Sequence, residues 1–107
     1  MRYFPPRPGV HADCFLSPTT TDPAEVLELV ELSREGVHLR LTAAPVPGST
    51  VLVRLSLPEG ASQAVAGEVA WIVADRGGPS YFAGVRFSEA LQEAGLRLFA
   101  DAPAEPE

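Results

Sequence analysis

Few residues of this chain have chemistry to offer, and most of them stand alone. In ELSREG, Glu31 to Gly36, a carboxylate, a hydroxyl and a glycine fall within six residues. A carboxylate accepts hydrogen bonds, a hydroxyl both gives and takes them, and glycine permits a tight turn or a close approach. The same residues also read as a plain hairpin turn, with Ser33 capping it and Gly36 at positive φ. Upstream, RYFPPRPGV carries Arg2 and Arg7, which on their own read as solvated charges on an arm.

Catalysis would need a nucleophile, a base and a group to orient them. His11 and His38 fall on the expected solvent side of strands, and neither has a cysteine or histidine at metal-ligand spacing. Glu28, Glu31, Glu68 and Glu89 lie singly, without the pairing that acid/base work requires. Ser33 has no base near it, and no glycine loop runs into a lysine. All eight basic residues are arginine, which removes a catalytic lysine outright. The expectation is neither an enzyme nor a metal protein.

The totals are those of an ordinary small globular domain. A chain of 107 residues is one domain with a single modest core. A net charge of −6 argues against a binder of nucleic-acid polymers, which needs a basic face. Cys14 is the one cysteine, so no internal disulfide forms, and it reads as a small buried hydrophobe. No stretch has the apolar run of a signal peptide or the ~18 apolar residues of a membrane span. The expected setting is cytoplasmic, without membrane insertion.

Hydrophobic alternation lays out the elements that would position these residues. It predicts strands at Val10–Leu16, Val26–Leu32, Val37–Thr42, Thr50–Leu57, Val65–Val73 and Tyr81–Phe87. Ser17–Glu25, Ala44–Ser49, Pro58–Gln63 and Asp75–Ser80 are rich in turn formers and separate them. Alternation puts Val69 and Trp71 on one side of the fifth strand. After Phe87 the period becomes helical, with Ser88 as N-cap, Glu89 in the first turn, and Leu91, Ala94, Leu98 and Phe99 at helical spacing. The layout is an arm over residues 1–9, a β domain with its terminal helix over 10–100, and a disordered acidic tail over 101–107. Short strands with regular turns suggest an all-β barrel or sandwich, one end or face covered by the helix.

Three stretches resemble the PilZ domain family, the bacterial receptors for cyclic di-GMP. They are the arginine-bearing arm RYFPPRPGV, the motif ELSREG with its alternating strand, and the late pair VAWIV and YFAGVRF. The second is similar to the family's Asp/Asn-x-Ser-x-x-Gly motif. The resemblance spans about Arg7 to Phe99 and implies a six-stranded antiparallel β-barrel with a C-terminal α-helix. It also implies a ligand site in which an Arg-x-x-x-Arg arm wraps over the strand motif. Arginine fits that task because it binds phosphate as a fork, stacks on purines and reads the guanine edge.

On this chain the site carries over to Arg2, Arg7, Glu31, Ser33 and Gly36, with two departures. Arg7 matches the second arginine, but the residue four before it is Tyr3, and Arg2 lies one place too early. Glu31 stands where the family has Asp or Asn, and its extra methylene moves the acceptors outward by more than ~1 Å. If each displaced contact loses ~1–3 kcal/mol, two weaken binding by ~10-fold to more than ~10³-fold. Pro5 and Pro6 stiffen the arm against a compensating shift. The resemblance thus implies a stand-alone signalling adaptor with no cofactor, acting on motility, surface polysaccharide or a related process through an unidentified protein partner. Cyclic di-GMP binding is expected to be weak or lost. The alternative is a genuine cyclic di-GMP receptor, a regulatory ligand clamped by Arg2, Arg7 and the Glu31–Gly36 motif.

Overall fold

The computed structural model describes residues 2–15 and 24–102. Most of the loop expected over Ser17–Glu25, the end of the first strand at Leu16, and the tail over 103–107 lie outside the described residues. The elements are β1 (His11–Phe15), β2 (Val26–Leu32), β3 (Gly36–Leu41), β4 (Thr50–Ser56), β5 (Ser62–Ala74), β6 (Tyr81–Phe87) and α1 (Glu93–Phe99). The strands form one sheet in the order β1-β4-β5-β6-β3-β2, and every neighbouring pair is antiparallel. A bridge between Cys14 and Ala24 brings β1 to the approach of β2, so the sheet curls into a nearly closed barrel.

Period-2 alternation explains which residues fill it. Val51, Val53 and Leu55 of β4 point inward beside Val37, Leu39 and Leu41 of β3 and Ala83, Val85 and Phe87 of β6. Cys14 lies in this core, 1% exposed. Leu96 and Phe99 of α1 complete it from one end.

Two strands break strict alternation, and both breaks matter outside the barrel. In β2, Leu29 and Leu32 are both buried, a spacing of three that a regular strand cannot give. The register slips between Leu29 and Glu31, leaving Val30 as the extra residue and setting Glu31 opposite His38. In β5 it slips between Val69 and Trp71, with Val69 opposite Val85 and Trp71 opposite Gly84. Bulges of this kind re-aim the side chains that follow them. Val69 is therefore buried while Trp71 stands outside the barrel, 39% exposed, not on the same side as alternation predicts.

The helix also begins later than its spacing predicts. Ser88 is not the N-cap: its backbone N–H donates to the Ala66 carbonyl and continues the sheet. Leu91 is buried, and its N–H donates to the Arg34 carbonyl. These long-range bonds hold Ser88–Gln92 out of the helix, which starts at Glu93 with Gln92 as an N-cap that makes no side-chain bond. Tertiary partners here outweigh a local capping preference of about 1 kcal/mol.

Burial pushes the Cys14 thiol up to about 11. At pH 8 such a thiol holds ~10²-fold less thiolate than an unfolded cysteine near its ordinary value. Labelling by a small thiol reagent is therefore expected to track unfolding, at least ~10²-fold slower in native buffer than in denaturant. Rapid stoichiometric labelling in native buffer would contradict the burial.

Candidate functional site

The motif lies at the rim of the barrel where β2 turns into β3. Ser33 is fully buried there, and its hydroxyl is committed to the turn. It accepts the backbone N–H groups of Glu35 (3.2 Å) and Gly36 (3.1 Å) and reaches the Gly36 carbonyl at 3.3 Å. The Ser33 N–H donates to that same carbonyl at 2.9 Å.

Gly36 does not take the positive φ of the hairpin-turn reading; among the described residues only Gly9, Gly48 and Gly60 do. What requires glycine is space. A Cβ on Gly36 would collide with the Val85 carbonyl oxygen and lie 3.2 Å from the Tyr3 hydroxyl. The turn is tied further to the segment before α1, since the N–H of Phe87 donates to the Glu35 carbonyl and the Arg34 Nε to the Leu91 carbonyl (2.9 Å). Arg34 is therefore engaged below the rim.

Above the rim, on the outer face, lies an aromatic group that reading along the chain did not assemble. Register places His38 and Trp71 on either side of Gly84. With no side chain at Gly84 the indole approaches the strand closely there; a Cβ would collide with Nε1 and Cε2 of Trp71. The indole meets His38 edge-on, ring centroids 5.1 Å apart at 63°. Tyr3 stacks on His38 with centroids 4.1 Å apart and planes 22° from parallel. His38 Nδ1 lies 2.7 Å from Glu31 Oε1, a contact that fixes the ring from its edge.

His38 is thus no solitary surface histidine: its side chain is 21% exposed, stacked by Tyr3 and flanked by Trp71. Two signals for this were present. Glu31 and His38 face each other across a hairpin, and Tyr3 occupies the place of the arginine missing from the arm.

The arm itself is ordered. Phe4 pairs with Leu32 through two backbone bonds, N–H to carbonyl in each direction, at 2.8 and 2.9 Å. Arg2 lies over the Phe4 ring, 5.0 Å from its centroid, a cation–π contact within the arm. Arg7 turns to the helix: its Nε donates to the Arg97 carbonyl at 2.6 Å and its N–H to the Phe99 carbonyl at 2.9 Å. Of the five candidates, the structure brings Glu31, Ser33 and Gly36 together. Arg2 lies on the arm over the Phe4 ring, and Arg7 is held at the C-terminal end of α1.

Among the described residues no group of three metal-ligating side chains exists, and no helix is long and apolar enough to cross a membrane. What the rim can do is stack a planar ring on His38 and present one carboxylate; at present the ring is the chain's own tyrosine. Replacing Ser33 by alanine should cost ~1–3 kcal/mol by leaving buried N–H groups unsatisfied, read as a shift of the denaturant midpoint without added ligand. A Ser33→Ala protein of unchanged stability would contradict the structural role of the hydroxyl.

The family comparison agrees with the fold. No curated protein and no solved structure matches the chain. The family model of the PilZ domain, which describes cyclic di-GMP-related signalling adaptors, matches residues 5–101. The match includes the barrel, the rim, the helix and the arm from Pro5 onward, and leaves Arg2 and Tyr3 just outside it. The chain belongs to the PilZ domain family.

Proposed function

We propose that this PilZ domain is a bacterial signalling adaptor that works through contact with a protein partner, with cyclic di-GMP bound weakly or not at all. The observation that carries this reading is the Tyr3 ring stacked on His38 at the rim. A purine entering there must displace it, and that displacement opposes binding.

The other candidate groups support the same reading. Arg7, the arginine that matches the family pattern, donates to main-chain carbonyls at the helix. The Ser33 hydroxyl is engaged by two N–H groups of its own turn. The Glu31 carboxylate is drawn to His38. Each must give up a present partner before it can meet a dinucleotide, and only the surplus over those partners would appear as affinity.

The outer face beside the stack supports a protein partner. Trp71 is 39% and Val73 56% exposed on β5. Val73 pairs with Phe82 of β6, which in turn pairs with Arg40 of β3. Exposed aromatic and aliphatic side chains beside arginine are the composition of a contact surface. The process controlled would be motility, surface polysaccharide or a related one, in the cytoplasm and without catalysis. The five residues Arg2, Arg7, Glu31, Ser33 and Gly36 remain the candidate cyclic di-GMP site of the competing receptor reading.

Calorimetric titration with cyclic di-GMP separates the two. The expected result is no saturable heat in the low-micromolar range, with Arg7→Ala indistinguishable from the parent. Low-micromolar binding abolished by Arg7→Ala would overturn the adaptor reading and make the altered motif a working site.

A further inference from the structure

A groove of about 470 Å³ lies at the C-terminal end of α1, and none of the rim residues lines it. Three pieces of chain form its walls: Arg7 and Pro8, the turn between β4 and β5 at Leu57 and Pro58, and Arg97 and Leu98 of α1. Close packing sets these walls in advance. Gly9, at φ 84°, lets the chain sit against Pro58, since a Cβ there would stand 2.9 Å from the proline ring. The turn is closed by the Gly60 N–H, which donates to the Leu57 carbonyl, and by the Leu57 N–H, which donates to the Ala61 carbonyl. A groove with fixed walls orders little of its own chain on filling.

Its two guanidiniums are each positioned by one bond. Arg7 Nε donates to the Arg97 carbonyl at 2.6 Å, and Arg97 Nη2 to Glu93 at 2.6 Å. Neither Nη of Arg7 meets an acceptor among the described residues, which leaves donors for a carboxylate. Glu59 is the one acidic residue of the lining and is exposed on the turn. The floor is apolar: Leu57 packs partly against the core, while Leu98 is 43% exposed on the helix. Two cations against one carboxylate favour an anion, and the leucines favour an anion borne on a peptide over a bare ion.

We propose that this groove docks an extended acidic segment of the protein partner, with a carboxylate on Arg7 and Arg97 and an apolar side chain against Leu57 and Leu98. Residues two apart share a face of an extended chain, so the pattern recognised is Glu-x-Leu or its reverse. The inference deepens the adaptor reading by naming the partner's chemistry, and rests on it.

Titration of the whole protein with acetyl-Glu-Ala-Leu-Ala-Glu-amide, followed by NMR amide shifts, tests the groove. Saturable shifts are expected at Leu57, Arg97 and Leu98, weakening as salt is added. Arg97→Gln should lower the affinity ~3- to 10-fold. Arg86→Gln makes the same charge change at an exposed arginine outside the groove and should leave the affinity as it was. Leu98→Glu should abolish binding while the β4 amides keep their positions. Absence of saturable shifts at millimolar peptide would overturn the proposal, as would equal binding of the peptide with both glutamates replaced by glutamine. The same shifts from inorganic phosphate alone would reduce the site to a general anion contact and overturn it too. Failure of the peptide alone leaves the adaptor reading standing. Low-micromolar cyclic di-GMP binding with peptide binding intact removes the adaptor reading and leaves the groove.

Discussion

Two extra residues, Val30 in β2 and Ala70 in β5, decide what the outer face of this barrel presents. Without the slip at Val30, Leu29 and Leu32 could not both enter the core, and Glu31 would not face His38. Without the slip at Ala70, Trp71 would follow Val69 inward. Each bulge satisfies the apolar interior first, and the outer geometry follows from it. Gly84 lies between the two re-aimed strands, and its missing side chain gives the indole room to reach His38. The Tyr3 stack, the Glu31 contact and the path of the arm all depend on a His38 held in this place.

Under the proposed reading, that dependence accounts for a rim occupied by the chain's own ring while its turn stays intact. The turn chemistry of Ser33 and Gly36 remains because the fold needs it: one satisfies buried N–H groups, the other permits close approach to Val85. Two positions of the resembled ligand pattern differ, while Arg7 keeps its arginine. Tyr3 supplies a ring where the pattern calls for a guanidinium, and the longer Glu31 side chain meets a histidine.

Much of the fold was legible because it rests on period-2 alternation. The limits of β2 and β6 coincide with the apolar runs at Val26–Leu32 and Tyr81–Phe87. The helix start was not legible, since Ser88 and Glu89 make a sound local cap that loses to long-range bonds donated by Ser88 and Leu91 to the Ala66 and Arg34 carbonyls. Nor was the face of Trp71, because nothing in VAWIV marks an inserted residue. Of the site, the motif was visible as a cluster in sequence, whereas the aromatic group draws its members from the arm, β3 and β5. Only pairing register brings those three together, and the bulge at Ala70 obscures that register.

The central claim is that the Tyr3 ring rests on the His38 imidazole in solution. Through-space NMR contacts between the ring protons of these two residues test it most directly. The account predicts clear cross-peaks between the rings, with the Tyr3 resonances displaced by ring-current shifts from His38. Tyr3 resonances at free-peptide positions, with no contact to His38, would contradict it.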